Sequence, residues 1–218
     1  DRALVWFRRD LRDFDHAALF CALREARAVF CAFIFDREIL DALPSPDDRR
    51  VEFIWDSVRE LGAALHAHGG GLIVRHAFAR DAVPELAAAL GASAVYANRD
   101  YEPAACARDA AVAQALTARG ISFRTAKDRV IFECDEVLSQ AGRPFSVFTP
   151  YKNAWLGRLT PADVHTYAID AHADALAAPP PGVASPIPPL EAMGFRRTNL
   201  KALGIGTGMS AGAALAAD

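Results

Sequence analysis

Short apolar runs alternate with helix-period segments through most of the chain, and no other feature limits the possible folds as strongly. The run Ala28 to Phe35 (AVFCAFIF) is nearly continuous, which is typical of a central strand buried on both faces. Strands that alternate with helices form parallel sheets through crossover connections. We therefore predict an α/β fold, a doubly wound, five-stranded parallel sheet (Rossmann-like) with helices on both faces, followed by an irregular linker tail.

The apolar pattern also predicts the individual elements. The predicted strands are Ala3 to Phe7, Ala28 to Phe35, Leu72 to His76, Ala94 to Asn98 and Ile121 to Thr125. The predicted helices are Asp15 to Ala26 with Asp15 as the N-cap, Arg49 to His68, Ala82 to Leu90, Pro103 to Arg119 and a short one at Pro150 to Leu159. The long second helix carries an apolar stripe of Val51, Ile54, Trp55, Val58, Leu61 and Leu65.

The alternation of apolar runs and helix-period segments ends after the first 130 residues. Residues 1–130 are predicted to form the core of the α/β domain, and residues 131–174 an extension that completes it, with short extended pieces between Val130 and Ser146. Residues 175–218 are rich in proline and then glycine, a composition typical of an extended linker.

Charge and cysteine content narrow the class of protein. The formal net charge is −3 and the pI about 6.1, so the chain as a whole offers no electrostatic reason to grip nucleic acid. The four cysteines are far apart, with no CxxC pair or metal-ligand spacing. No run approaches the roughly 20 apolar residues of a membrane span. We expect a chain of the reducing cytoplasm, with no membrane partner and no metal.

Glycine-rich phosphate loops and nucleophile elbows are both missing from the sequence. Ligands of doubly wound sheets bind beyond the carboxyl ends of the strands. The candidate binding loops are therefore Arg8 to Phe14, Asp36 to Asp48 and Arg99 to Pro103.

The segment Phe7 to Arg12 (FRRDLR) is the most unusual of these loops. Three arginines and one aspartate are costly to bury unpaired. The residues allow two interpretations: a solvated or internally ion-paired loop, or a docking loop whose arginines pair with carboxylates or phosphates of a partner.

Three separated segments, in order, resemble the photolyase/cryptochrome family. The first is VWFRRDLR at residues 5–12, followed by Asp15 and a helix that begins with His16. The second is NRDYEPAACARD at residues 98–109, and the third is FSVFTPYKNAWL at residues 145–156, which fits the family pattern F-x-P-[YF]-x-x-x-W. The later Thr198-Asn199-Leu200 and Gly204 to Gly208 resemble the stretch that leads into the family's flavin domain.

The resemblance implies an N-terminal domain that can hold a light-harvesting antenna pigment, joined to a C-terminal helical domain that binds FAD and damaged DNA. The expected activity of the intact protein is the light-driven, flavin-dependent splitting of cyclobutane pyrimidine dimers in DNA, a carbon-carbon lyase reaction. We expect this chain to end before the FAD-binding domain, to contain no catalytic residue and to be inert alone. A cryptochrome-like blue-light sensor and a stand-alone nucleotide-binding module are the alternatives.

The antenna pigment of such a domain would be a deazaflavin, FMN or methenyltetrahydrofolate. Folate-type members carry an Asn-Glu pair where this chain has Ala104 and Ala105, which weakens the folate interpretation. Deazaflavin-type members present Asp-x-Glu-Pro, which the chain matches from Asp100 to Pro103. The cofactor-binding candidates are two acceptors, one cation and two apolar wall residues: Asp100, Glu102, Arg50, Phe35 and Leu40. Alternatively, Asp100 and Glu102 simply cap the following helix.

The same resemblance leads us to expect inter-domain docking by Arg8, Arg9, Asp10, Arg12, Lys152, Asn153 and Trp155. An exposed apolar patch is expected near these two segments, and it would favour self-association. One departure from the family is His16, where asparagine is usual, so a helix-cap hydrogen bond should be altered there.

Overall fold

The computed structural model describes residues 1–217. Its strands are β1 (Arg2–Phe7), β2 (Ala28–Asp36), β3 (Leu72–Ala77), β4 (Ala94–Asn98) and β5 (Ser122–Ala126). They form one parallel sheet in the order β3-β2-β1-β4-β5. The chain builds outward from β1 to β3 and then returns to add β4 and β5 on the other side, so the strand order switches between β1 and β4. The predicted doubly wound α/β fold is confirmed.

The helices are α1 (Ala17–Glu25), α2 (Arg37–Leu40), α3 (Arg49–Ala67), α4 (Ala79–Ala89), α5 (Pro103–Thr117), α6 (Phe148–Arg158) and α7 (Gly208–Ala217). Short 3-10 helices occupy Pro161–Val164, Asp170–Ala175, Leu190–Met193 and Lys201–Leu203. The sequence places α4 three residues too late, because its first turn carries Arg80 and Asp81 and so breaks the apolar pattern.

Alternate side chains of the central strands enter two separate cores, as the period of a strand requires. Val29, Cys31 and Phe33 of β2 lie in the core beneath α1 and α3. Phe30 and Ala32 of the same strand lie in the core beneath α4 and α5. Each large apolar side chain buried in this way contributes roughly 1.5–3 kcal/mol to the stability of the fold. The sheet therefore has helices on both faces.

The stripe of α3 is buried in part. Val51, Val58, Leu61 and Leu65 are in the core, whereas Ile54 is 36% exposed. Glu52, which is not part of the stripe, is only 2% exposed. Its carboxylate accepts hydrogen bonds from Arg197 and Thr198, which belong to the tail of the chain. Sequence periodicity alone does not predict this buried carboxylate.

The prediction that Asp15 caps the first helix is wrong. Asp15 adopts a left-handed backbone conformation with φ 45°, which aspartate tolerates better than most residues, and its carboxylate accepts the Tyr167 amide at 2.9 Å. The N-cap is His16, whose Nδ1 accepts the Leu19 amide at 3.0 Å. The helix consequently begins at Ala17.

The region after β5 departs from the expected extended pieces. Residues 130–146 form bends and turns, with no strand among the described residues of that stretch. The proline-rich segment lacks regular secondary structure over much of its length, yet it returns to the sheet: Ala177 donates its amide to Val29 O at 2.9 Å. Trp55 Nε1 donates to Pro188 O at 2.8 Å, and Leu190 is 2% exposed in the core beneath α1 and α3. Residues 169–195 therefore form a strap that covers this face of the sheet.

Candidate functional site

A cavity of about 220 Å³ lies at the carboxyl edge of the sheet, where the ends of β1, β2 and β4 meet. This is the region in which doubly wound sheets bind ligands. Its walls are mostly aromatic or aliphatic, formed by Trp6, Phe33, Ile34, Phe35, Ile39, Leu40 and Ile54. A small set of polar side chains completes it: Arg8, Arg9, Asp36, Asp100 and Arg108. Apolar walls with a few convergent polar groups are typical of sites for planar organic ligands.

Asp100 is held at the edge of this cavity by three guanidinium groups. Arg129 Nη1 donates to its Oδ1 at 2.6 Å, while Arg9 Nε and Arg108 Nη2 lie 3.7 and 3.9 Å from its Oδ2. Burial, reinforced by the neighbouring Glu102, raises the pKa of Asp100, and the arginines oppose that rise. Asp100 therefore orients two of the cationic side chains that border the cavity.

Glu102 borders an adjoining hollow of about 530 Å³ rather than the cavity itself. The hollow also contacts Arg9, Asp36, Arg80 and the alanines at the start of α5. The Asp100 carboxyl and the paired Arg9 lower the pKa of Glu102 to about 2, so Glu102 is ionised at neutral pH. Glu102 occupies the N-cap position of α5, but its carboxylate binds Arg9 and Arg129.

The cofactor candidates from the sequence are brought together only in part. Phe35, Leu40 and Asp100 line the cavity, and Glu102 lines the hollow beside it. Arg50 lies on the exposed first turn of α3, where it pairs with Asp48 at 2.5 Å with 73% of its side chain exposed, and it borders neither space.

Arg108 and Asp36 are polar lining residues that were not among the cofactor candidates, although Asp36 begins one of the candidate binding loops. Asp36 is the polar residue that ends the long apolar run of β2, and this position is a usable signal for a strand-end ligand. Arg108 lies in the second turn of α5, about 100 residues after the loop that follows β1. Because the two segments are so far apart in sequence, spacing alone does not predict that Arg108 and Arg8 border the same cavity. The Arg108 guanidinium and that of Arg8 each lie 4.9 Å from the centre of the Trp6 ring.

The arginines of the loop after β1 are largely engaged within the domain. Arg8, with 8% of its side chain exposed, pairs with Asp109 at 2.6 Å, and Arg12 pairs with Asp128 at 2.8 Å. Arg9, with 57% of its side chain exposed, is the most accessible of the three. The internally ion-paired interpretation of this loop therefore accounts for Arg8 and Arg12.

Asp10 is the buried acceptor that shapes this loop. Its Oδ2 accepts from Asn98 Nδ2 at 2.6 Å and lies 2.9 Å from His16 Nε2, while its Oδ1 accepts the Arg8 amide at 2.8 Å. Burial alone would raise the pKa of Asp10, but the His16 ring and these hydrogen bonds hold it well below its usual range. Asp10 thus ties β1, α1 and β4 together and faces inward.

The third family-like segment forms α6, on the surface. Lys152 and Asn153 are exposed, and Trp155 is half-buried with its ring edge-on to Phe132 at 5.3 Å. Several apolar side chains on and beside this helix are exposed, among them Val147, Phe148, Tyr151 and Leu156. We name these four residues the α6 patch.

No described helix is long and apolar enough to cross a membrane. No cluster of three or more histidine, cysteine or acidic side chains within residues 1–217 has the arrangement of a metal site.

Comparison with known proteins gives consistent matches. The family model described as DNA photolyase matches residues 3–174. A deoxyribodipyrimidine photo-lyase from Synechococcus sp. is 32% identical over 197 residues, covering 88% of this chain and 40% of that protein. The chain thus spans about two fifths of that relative's length. Proteins named as cryptochromes also match.

Two solved structures extend the comparison. A bacterial class III photolyase from Agrobacterium tumefaciens matches with a TM-score of 0.71 and 26% identity, covering 87% of this chain and 37% of that one. An archaeal photolyase from Sulfolobus tokodaii, described as holding two FAD molecules and implying a novel light-harvesting cofactor, matches with a TM-score of 0.58 and 28% identity, covering 70% and 34%. Because the family model spans most of the chain and these relatives match along it, this chain belongs to the DNA photolyase family.

Proposed function

We propose that this chain is the antenna domain of a light-driven DNA photolyase and binds a planar flavin-type pigment at the carboxyl edge of its sheet. The observation that carries the proposal is the cavity of about 220 Å³, with its aromatic and aliphatic walls and its rim of Asp100, Arg9 and Arg108. The match to a photolyase described as holding two FAD molecules, with the implication of a novel light-harvesting cofactor, supports the same assignment.

The residues fit a flavin or deazaflavin better than a methenylfolate. Aromatic and aliphatic walls suit a fused ring system, and the guanidinium groups of Arg9 and Arg108 suit its carbonyl oxygens or a phosphate. Ala104 and Ala105, which border the hollow beside the cavity, carry no side-chain hydrogen-bonding group for a pterin. When bound, such a pigment would supply absorption of visible light and transfer of the excitation energy to a second chromophore.

The repair reaction itself is assigned to a C-terminal FAD-binding domain of the intact protein. There FAD would drive the splitting of pyrimidine dimers in DNA, and this chain would act as light collector and docking partner. Arg9, Lys152 and Asn153 have the exposed side chains that docking requires. Arg8, Asp10 and Arg12 would support the docking loop from within, through their pairs with Asp109, His16 and Asp128.

Titration of the purified chain with FMN, a deazaflavin and a methenylfolate tests the pigment proposal. We expect a saturable change in absorption with FMN or the deazaflavin, and at least about a tenfold loss of affinity in Asp100→Ala, the size expected for a charge-assisted contact. Arg50→Ala is the matched control, because this exposed arginine borders neither the cavity nor the hollow and should bind as the wild type does. A chain that binds none of the three pigments would overturn the proposal.

Cryptochrome-like light sensing is the second candidate, favoured by the matches to proteins named as cryptochromes. The two functions are separated by a repair assay on the intact protein. Dimer-containing DNA should be restored under blue light and unchanged in the dark if the protein is a photolyase. Light absorption without any reversal of dimers would favour the sensor.

A further inference from the structure

Trp6 lies near the end of β1, in the wall of the pigment cavity, and is 1% exposed. An excited flavin-type ring takes an electron from a nearby indole, and the electron then returns, so the absorbed energy is lost as heat. Trp6 is the readily oxidised side chain of this wall, since the other described residues that line the cavity include no tyrosine, cysteine, methionine or histidine. An indole at this place would therefore quench the pigment that the cavity holds.

Two guanidinium groups lie beside the ring of Trp6. Those of Arg8 and Arg108 are each 4.9 Å from its centre. Both side chains are largely withdrawn from water, with 8% and 12% of their surface exposed. A cation over an aromatic face is attracted to the neutral ring, but it repels the positive charge that the ring acquires when it loses an electron. Because little water reaches these groups, the repulsion is screened less than it would be at the surface.

The nearby carboxylates do not cancel this positive charge. Arg8 and Arg108 share one partner, Asp109, at 2.6 and 3.0 Å. The next carboxylate, Asp100, lies farther from Arg108, at 3.9 Å, and is already paired with Arg129 at 2.6 Å. Two guanidinium groups and one shared carboxylate leave a net positive charge beside the indole.

We propose that Arg8 and Arg108 make Trp6 harder to oxidise and so keep it from quenching the excited pigment. The inference rests on the proposed pigment-binding function and gives the two arginines a role separate from contact with the ligand. The suppressed step is the transfer of one electron from the indole to the excited ring, which would leave an indole radical cation between two cations. When this loss is avoided, the excitation lasts long enough to pass to a second chromophore.

The fluorescence lifetime of bound FMN, or of the deazaflavin if that is the pigment bound, tests the inference. It is measured at saturating pigment, so that a change in affinity does not enter. We expect equal lifetimes in the wild type and in Trp6→Phe, because the indole is already silent. Arg108→Gln should shorten the lifetime at least about twofold, since it removes one cation from beside the ring. The double variant Trp6→Phe with Arg108→Gln should restore it.

Arg59→Gln is the matched control, because the Arg59 guanidinium lies 4.8 Å from the centre of the Trp55 ring and neither residue lines the cavity. It should leave the lifetime unchanged. An unchanged lifetime in Arg108→Gln overturns the inference. So does a shortening that persists in the double variant, because it comes from some other contact of Arg108. A wild type with a much shorter lifetime than Trp6→Phe overturns it as well.

If the variants fail to fold by circular dichroism, transient absorption of the wild type decides by itself. Excitation of the bound pigment should give no signal of an indole radical, and a strong signal would overturn the inference.

The outcomes separate this inference from the function on which it rests. A pigment that binds in dependence on Asp100 but is quenched by Trp6 would remove the role of the two arginines and leave the pigment site in place. Failure of the wild type to bind FMN, a deazaflavin or a methenylfolate would remove the pigment site and the role of the arginines with it.

Discussion

At the scale of single residues, buried polar side chains hold the loops at the carboxyl edge of the sheet in place. His16 accepts the Leu19 amide through Nδ1, which places its proton on Nε2, directed at Asp10. Asn98 completes the arrangement, since its Oδ1 accepts the Ala18 amide at 2.9 Å and its Nδ2 donates to Asp10. A histidine thus performs the capping that a shorter polar side chain usually performs.

Asp10 should make the stability of the domain sensitive to acid. Its pKa in the folded chain lies below the unfolded value of about 3.9, so its contribution is complete above that pH and is lost as the pH falls further. Asp10→Asn should lower the free energy of unfolding at pH 7 by roughly 1–3 kcal/mol, because the new amide hydrogens face other donors. It should also weaken the pH dependence between about pH 5 and 2.

Urea unfolding followed by circular dichroism at pH 7, 4 and 3 measures both effects. The exposed Asp174→Asn serves as the control and should follow the wild type at every pH. The same decline with pH in the wild type and in Asp10→Asn would contradict this role of Asp10.

At the scale of elements, the strap of residues 169–195 is part of the fold rather than a loose connection. Its Leu176 pairs with Val29 of β2 through an isolated bridge, and Leu190, Met193 and Phe195 enter the core beneath α1 and α3. The Trp55 ring, which donates to the strap at Pro188, also stacks on the Arg197 guanidinium at 4.4 Å. A proline-rich segment is suited to this role because it loses little conformational entropy when it is fixed.

Leu190→Ala tests the strap. Removing a buried leucine side chain should lower the free energy of unfolding by about 3 kcal/mol, within the usual range of 2–5 kcal/mol for such a change. Leu203→Ala is the matched control, since Leu203 is 50% exposed and its loss should change stability by less than about 0.5 kcal/mol. Equal effects of the two changes in urea unfolding would show that the strap does not contribute to the core.

At the scale of the whole molecule, the exposed apolar surface is the feature that needs a partner. In the α6 patch, Phe148 is 71% exposed, Val147 60% and Leu156 53%. Several large apolar side chains exposed on one short segment mark contact sites between proteins or domains. This exposure agrees with the expectation that the α6 segment meets another domain, which stays a prediction.

The α6 patch should make the chain self-associate in solution. Sedimentation velocity should show a concentration-dependent increase in mean mass for the wild type, and Phe148→Ser combined with Leu156→Ser should reduce it, because the association buries these side chains. Asn153→Ser on the same helix is the control and should associate as the wild type does. A strictly monomeric wild type at high concentration would argue against the α6 patch as a contact surface.

Much of the fold could be predicted from the sequence because it depends on local patterning. All five predicted strands agree with the structure to within one residue at each end, since short apolar runs are the signal of strands buried in a parallel sheet. The boundary of α1 could not be predicted, since the choice between Asp15 and His16 as cap depends on the distant partner Tyr167.

The candidate site, like the fold, could be predicted from the sequence only in part. Phe35, Leu40 and Asp100 lie next to strand ends, so their place at the carboxyl edge follows from the order of elements and from the family resemblance. Arg50 was expected beside them, but an arginine on an exposed first turn pairs with its own helix cap. Which cations reach the cavity depends on the packing of α5 against β1, which sequence spacing does not encode.

Hydrophobic periodicity acts over a few residues, and it was therefore enough to predict the doubly wound sheet with helices on both faces and the edge where a ligand would bind. The pairing of Arg8 with Asp109 and the burial of Glu52 beneath Thr198 could not be predicted in this way, because they follow from the folded arrangement of the chain. Each of these depends on the distance between groups far apart in the chain, and the energy of a charged or hydrogen-bonding group is set by the partners that the fold brings to it.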